Sequence, residues 1–544
     1  MTSDTLYNLP AFNYLNQQVA RFRRKDFHLQ ALLKKENRFQ GLSRSVDLGG
    51  TPFFFDFSRQ RMDEEIFNGL LNLSHETKAV EKFEQMAQGE RINVTEHRPA
   101  LHTLTREKFN PGNNVFLNSV KEELNTVDSQ IKTLVSRVRS GTFIQGKTKS
   151  IKHAVVVGIG GSYLGCEFVY NALLQNHTPE IELHFLSNID GGNFDRIIEK
   201  IQPENCLWIV ISKSYTTVET LINQDRVLDF LQGHGLSARE YLITITAKGS
   251  PGDSSGEKLA SFHMFDHIGG RYSVSSAVGR VPLSLAFGNE CFEAFMDGCA
   301  RMDDHTRNAS SRENIPLIAA LIDIWNTHFL KYSSLAIIPY SSSLARLPSH
   351  IQQLHMESLG KDVTQDGIGL EYPGGAIIFG EPGTNAQHSF FQLAHQGVGF
   401  PIEFIGILNP EDTSNLVSSQ GVSNHQELWA NLIAQAQTLA MGNESGISAK
   451  NLKGNRPSSI LVLPDMSAES IGCLTAFYEN RTVLEGFILG INPFDQFGVE
   501  LGKIVASNLR DQMKAKNENP DHEFSQVEDS EGFYLNAVFS GSLS

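Results

Sequence analysis

Cysteine is scarce and scattered in this 544-residue chain. Cys166, Cys206, Cys291, Cys299 and Cys473 are odd in number, widely spaced and without a CxxC pair. Reduced thiols in a cytosolic, cytoplasmic compartment are the simplest reading. Long apolar runs are also missing. No stretch approaches the roughly 18 residues of a membrane span, and residues 1–24 lack the continuous apolar core of a secretory signal. Positive charge is in deficit, 46 Lys and Arg against 61 Asp and Glu, for a formal net charge of −15. A general nucleic-acid binder needs a basic face, so neither nucleic acid nor membrane is expected as a partner. An anionic small molecule stays possible, because a few local cations and backbone N–H groups can hold a phosphate. No low-complexity tract or short repeat occurs. What is present, 40% hydrophobic and 20% charged residues, suits a soluble globular enzyme of two or three domains.

Residues 1–120 read as mainly helical, with Phe, Leu and Val at helical intervals among charges. Strand-like runs follow at 153–157, 181–186, 206–211 and 241–246, separated by helical stretches. The polar stretch 303–313 suggests a boundary. A second series follows at 335–339, 376–379, 402–408 and 460–463. Continuous β-branched runs alternating with helices predict parallel sheets covered on both faces. The expected organisation is a helical N-terminal segment (1–120), two α/β domains (121–305 and 306–510) and a C-terminal arm (511–544). The polar, acid-rich stretch 514–529 predicts an exposed connector, and Phe533, Tyr534, Leu535, Val538 and Phe539 predict a C-terminus that docks on something.

Gly158-Ile159-Gly160-Gly161-Ser162-Tyr163-Leu164-Gly165 follows a strand and should open a helix. A dinucleotide fingerprint needs Gly at 163, where Tyr stands, and a P-loop needs Lys at 166, where Cys stands. Asp190, after the next strand, keeps a nucleotide site weakened rather than excluded. A ligand-free strand–helix turn and an anion site weigh equally there. Ser212-Lys213-Ser214-Tyr215-Thr216-Thr217 is stronger: Ser and Thr hydroxyls and one ammonium at a strand end favour phosphate. A capping box from Thr216 to Glu219 is the plainer reading, but the donors exceed what a cap needs.

Arg271 follows two glycines, Gly269 and Gly270, and its guanidinium can meet an oxyanion. Alone it reads as an ordinary salt-bridging arginine. His263 and His267 stand four apart, with no firm helix and no third ligand, so no metal site is expected there. Glu357 sits in Gln352-Gln353-Leu354-His355-Met356-Glu357-Ser358, near the end of a helix that stops at Gly360. His388 follows Gly383-Thr384-Asn385-Ala386-Gln387, before a helix expected to begin at Ser389. Lys503 lies near Gln496 and Glu500. Each taken alone is a surface residue. Together they supply a carboxylate, a guanidinium, an imidazole and an ammonium, a set suited to moving a proton beside a carbonyl.

With Glu96-His97-Arg98-Pro99-Ala100-Leu101-His102 and Phe494-Asp495-Gln496-Phe497-Gly498-Val499-Glu500, these segments and their order resemble the glucose-6-phosphate isomerase family over nearly the whole chain. The resemblance implies two doubly wound sugar-isomerase (SIS) domains in a homodimer, without cofactor or metal. It implies interconversion of glucose 6-phosphate and fructose 6-phosphate through a cis-enediol(ate). Glu357 would shuttle the proton between C1 and C2, Arg271 would stabilise the intermediate, and His388 with Lys503 would assist ring opening. Gly161, Ser162, Ser212, Lys213, Ser214, Tyr215, Thr216 and Thr217 would hold the phosphate region, with Gln353 and Gln496 lining the site and Glu219 orienting His388. The resemblance further implies that His388 enters the neighbouring subunit's site. Leu359, Ala386 and Tyr163 depart from the family's usual Asn, Gly and acidic residue, which bears on site shape. The rival readings are a non-catalytic sugar-phosphate sensor of the same fold and a nicotinamide-dependent oxidoreductase, the latter disfavoured by Tyr163.

Overall fold

Runs of Val, Ile and Leu buried on both faces form the centres of two sheets in the computed structural model, which describes residues 6–106, 114–144, 148–254, 256–370, 374–409, 417–525 and 527–543. The strands are β1 Ser43–Asp47, β2 Pro52–Asp56, β3 His153–Val157, β4 Glu182–Leu186, β5 Cys206–Ile211, β6 Leu242–Ala247, β7 Ala260–Met264, β8 Ser334–Pro339, β9 Ile377–Phe379, β10 Ile402–Ile407 and β11 Ser458–Leu463. The first sheet is parallel throughout, in the order β4-β3-β5-β6-β7. Every residue of β5, Cys-Leu-Trp-Ile-Val-Ile, is buried, as a central parallel strand requires. The second sheet runs β1-β2-β11-β10-β8-β9, with β8 to β11 parallel and β1–β2 added antiparallel.

The strand order positions the site. From β3 the chain moves to β4 on one side, then returns to place β5 on the other. Between β3 and β5 the connections leave in opposite directions, so the loops at their carboxyl ends part and open a crevice. Those loops are 158–162 and 212–217.

Met1–Phe494 forms one compact unit and Asp495–Ser544 another. Inside the first, helix Ala468–Leu489 is buried at every position but Glu469. It carries Glu479 and Arg481 into the core as paired charges. Arg481 donates to Asp323 at 2.6 and 2.8 Å and to both oxygens of Glu403 at 2.9 Å. Arg106 pairs with Asp303 and Glu479 in the same layer.

The described part of the segment 1–120 is mainly helical, with β1 and β2 added, whose Phe-rich run 53–55 reads equally as helix or strand. Strand β7, Ala-Ser-Phe-His-Met, lacks β-branched residues and so gave no strand signal. The expected boundaries at 120, 305 and 510 each fall inside a helix: Val115–Arg139, Asn289–Asn308 and Glu500–Glu518. The stretch near 303 is polar for a different reason than exposure, since Asp303 is buried against Arg106. The connector expected over 514–529 begins as helix and leaves it only after Glu518. The five cysteines are free thiols, four of them buried. Among the described residues no helix is long and apolar enough to cross a membrane.

Candidate active site

Glycine shapes the turn after β3. Gly160 has φ +58°, in the left-handed region, and a Cβ there would stand 3.0 Å from Gln353 Nε2. At Gly161 a Cβ would lie 2.3 Å from the carbonyl carbon of Gly270 and 2.7 Å from the Arg271 nitrogen. The β3 turn and the segment Gly270–Tyr272 therefore touch backbone to backbone, and no side chain fits between them. A Cβ on Gly270 would meet nothing within 4 Å, so space stays open beside Arg271.

Arg271 is 3% exposed. Its Nε donates to Ser358 Oγ at 2.6 Å and its Nη2 to the Pro493 carbonyl at 2.8 Å. The Tyr272 hydroxyl joins both partners, at 2.9 Å from Ser358 Oγ and 3.2 Å from the Pro493 oxygen. Nη1 stands 3.4 Å from Glu357 Oε2. Glu357 is half-buried on helix Leu347–Leu359, which packs between helix 164–173 of the first sheet and the buried helix 468–489. One turn back, Gln353 Nε2 donates to Glu357 Oε2 at 3.2 Å. The Gln353 Oε1 atom is buried without a hydrogen-bond partner, an acceptor waiting for a donor.

The loop after β5 concentrates hydroxyls and one ammonium. Thr217 is the N-cap of helix Val218–Gly233 but makes no side-chain cap bond. The capping box weighed from sequence does not form, so the hydroxyls are not spent on the helix end. Ser214 and Thr216 are exposed with their hydroxyls 2.6 Å apart, and Ser212 is buried with its Oγ 3.5 Å from Thr217 Oγ1. Lys213 donates to the carbonyls of Asp266 and Ile268 at 2.9 and 3.2 Å, tying this loop to the one before Arg271. Burial, then the neighbouring Arg98, push the Lys213 ammonium down to about 8. Tyr215 holds φ +55°, unusual for a residue with a side chain. Its ring presses on Gly252 and its hydroxyl bonds Gln224. The Tyr215 side chain anchors the loop.

Among the described residues, no hydrogen bond or ion pair joins His388 or Glu219 to these. His388 is exposed at the C-terminal end of the short helix Gly383–Gln387; its backbone N–H donates to the Asn385 carbonyl at 3.0 Å, and its imidazole makes no hydrogen bond or ion pair among the described residues. The next helix is Phe391–Gln396, so His388 does not head it, and the argument from a helix N-terminus does not hold. Glu219 is exposed and unconnected to His388. Gln496 and Lys503 lie in the unit 495–544, Lys503 exposed on helix Glu500–Glu518. Leu359 and Ala386 are wholly buried and Tyr163 is half-buried.

Sequence reasoning missed the residues that hold Arg271. Ser358, Tyr272 and Pro493 lie inside or beside quoted motifs, but only the fold shows that they meet. His102, from the motif at 96–102, is buried with its ring 4.7 Å from that of Tyr272.

Residues 56–528 match the profile of the family described as phosphoglucose isomerase. The chain is 47% identical to a glucose-6-phosphate isomerase of Desulfosudis oleivorans, covering 98% of each protein. It is 39% identical to a cytosolic glucose-6-phosphate isomerase of Arabidopsis thaliana, over 90% of each. Among solved structures, a glucose-6-phosphate isomerase of Chlamydia trachomatis superposes with a TM-score of 0.88 at 34% identity, over 99% of both chains.

Proposed function

The chain belongs to the phosphoglucose isomerase family, and from that premise we infer that it interconverts D-glucose 6-phosphate and D-fructose 6-phosphate with Glu357 as the base. The observation that carries this reading is the buried Arg271 guanidinium held 3.4 Å from the Glu357 carboxylate. The reaction moves a weakly acidic proton from a carbon beside a carbonyl, and negative charge then develops on the oxygens. Glu357 takes the proton from C2 and returns it to C1. Arg271 meets the cis-enediolate with donors already fixed by Ser358 and Pro493, so little reorganisation is needed as charge appears. Gln353 Oε1 accepts from a sugar hydroxyl. The oxidation of one carbon balances the reduction of its neighbour, so the chemistry calls for no outside oxidant or reductant.

The hydroxyls of Ser162, Ser212, Ser214, Thr216 and Thr217 hold the phosphate with the Lys213 ammonium and the Gly161 and Tyr215 backbone. That grip supplies remote binding energy to orient C1 and C2. His388 and Lys503 open the sugar ring, with Gln496 lining the site. His388 belongs to the site of a second copy of the chain, in a homodimer. Its exposure and its imidazole's lack of partners support that role, as does helix Glu500–Glu518, which has no buried side chain and exposes Leu501, Ile504 and Val505. A cytosolic location is supported by the plant relatives' names. A sensor of this fold would have no use for a carboxylate set against the guanidinium.

The test is a coupled assay with glucose 6-phosphate and no added cofactor, run alongside incubation in deuterium oxide. Formation of fructose 6-phosphate with deuterium entering at the migrating position is expected. Turnover without any solvent exchange under any condition would favour direct hydride transfer and remove Glu357 as the base.

A further inference from the structure

Two imidazoles and a carboxylate converge on the opposite end of the first sheet from the isomerase site. His153 opens β3, and Glu182 and His184 lie on β4, the edge strand. The register sets His153 beside Glu182 and Val155 beside His184. Side chains alternate along a strand, so positions 182, 184 and 153 share one face. His153 Nδ1 is 3.1 Å from His184 Nε2 and 3.7 Å from Glu182 Oε2. All three ligand atoms lie within 4.8 Å of one another.

We propose that His153, His184 and Glu182 form a binding site for a divalent transition-metal ion of the zinc type, separate from the isomerase chemistry. Zinc bonds of about 2.0–2.1 Å to nitrogen put neighbouring ligands of a tetrahedron about 3.3 Å apart. The observed spacings bracket that value, so little movement is needed. Two nitrogens and one oxygen suit zinc, nickel or copper and not the oxygen-seeking calcium or magnesium. The ring nitrogens facing each other must share one proton between two lone pairs, and an ion replaces that proton. His184 is buried at 8% exposure, whereas Glu182 is exposed, which leaves an entry route and a fourth position for water. Lys200 lies near enough to His184 to oppose a cation, so the Glu182 charge is needed to offset it.

The site is separate because β3 runs from His153 to Val157 before the Gly-rich turn, a distance of roughly 15 Å at the usual rise per residue. The ion would clip the edge strand β4 to β3 and so act on stability rather than turnover.

Chelator-washed enzyme titrated with Zn²⁺ alone in a calorimeter tests this. One binding event per chain is expected in the wild type, with affinity reduced at least about tenfold in His153→Gln and in His184→Gln. Glu182→His, at an exposed position, should keep or tighten binding by supplying a third imidazole. The wild-type melting temperature should rise with Zn²⁺, and that of His184→Gln should not. Glu182→Gln, which leaves the buried ring in place, covers the case in which His184→Gln misfolds, and it too should weaken binding. Identical isotherms for the wild type and all of these variants would overturn the proposal, as would no event in the wild type. Binding is read without substrate, so neither outcome bears on the isomerase reading.

Discussion

Arg271 and His388 stand at opposite extremes of constraint. Arg271 is 3% exposed and its guanidinium is gripped by Ser358, Pro493 and Glu357 of its own chain. His388 is exposed on a three-residue turn between two short helices and touches none of them. A group that must meet developing charge is worth most when already fixed and dry. A group that is unsupported in its own chain takes its orientation from whatever covers it. On the shared-site reading, the half of the machinery around Glu357 is complete within one chain and the half around His388 is completed by another.

The largest expected effect strikes the completed half. Glu357→Gln keeps the shape and the hydrogen bond to Gln353 but cannot accept a proton, so kcat should fall by about 10²–10⁴ while KM changes little. Exchange of the substrate C2 hydrogen with solvent should stop with it. Turnover within a few-fold of wild type would take Glu357 out of the mechanism and dissolve the comparison.

Arg271→Lys comes next. The charge survives, but a compact ammonium cannot hold Ser358, Pro493 and an enediolate together. A loss of about 10²–10³ in kcat is expected, the scale for removing one oxyanion donor. A near-normal kcat with a raised KM would mean that Arg271 positions the loop without meeting the intermediate.

Mixing the halves is the sharper test. Glu357→Gln and His388→Ala chains are unfolded together and refolded. Random pairing makes about half the dimers mixed, and each mixed dimer holds one doubly damaged and one intact site if the site is shared. Activity should then recover to roughly a quarter of the wild type. Efficient hybrid formation, checked by native mass spectrometry, with activity no higher than the separate variants would place both residues in one chain's site.

The unequal legibility of the two halves follows the same division. Strands such as 153–157 and 206–211 read directly, because a buried parallel strand must be continuously apolar. Glu357 and Arg271 stood out only through the resemblance, since each alone looks like a surface charge. What fixes them was not readable: Ser358 and Arg271 are 87 positions apart, and Pro493 acts through its carbonyl, which no side-chain pattern reports. The buried charges of helix 468–489 escaped for a similar reason. A sequence shows Glu479 and Arg481 as polar, and only the fold supplies Arg106 to pair the first and Asp323 and Glu403 to pair the second. The His388 error was local, since the residues at 383–387 form a helix of their own and leave the imidazole at its end.

The smallest effect concerns the phosphate grip, and its sign follows from burial. The folded-state Lys213 ammonium is pushed down to about 8, by burial first and then by Arg98, with Asp266 and Glu96 opposing. Below about pH 8 Lys213 is charged and attracts a phosphate dianion; above it the attraction fades. The KM for glucose 6-phosphate should therefore hold steady up to about pH 8 and rise about three- to tenfold by pH 9, while kcat moves less. Lys213→Arg, which stays charged, should abolish the rise, and Lys213→Met should show a high KM at every pH. Stability runs the other way. The unfolded chain keeps this proton up to the ordinary lysine value, so between about pH 8 and 10.5 unfolding takes up a proton at this site. Lys213 thus contributes stability that is fully present above that window and is lost as pH falls to about 8. A KM profile of Lys213→Met that parallels the wild type would assign the pH step to another group and leave the loop hydroxyls as the main hold on the phosphate.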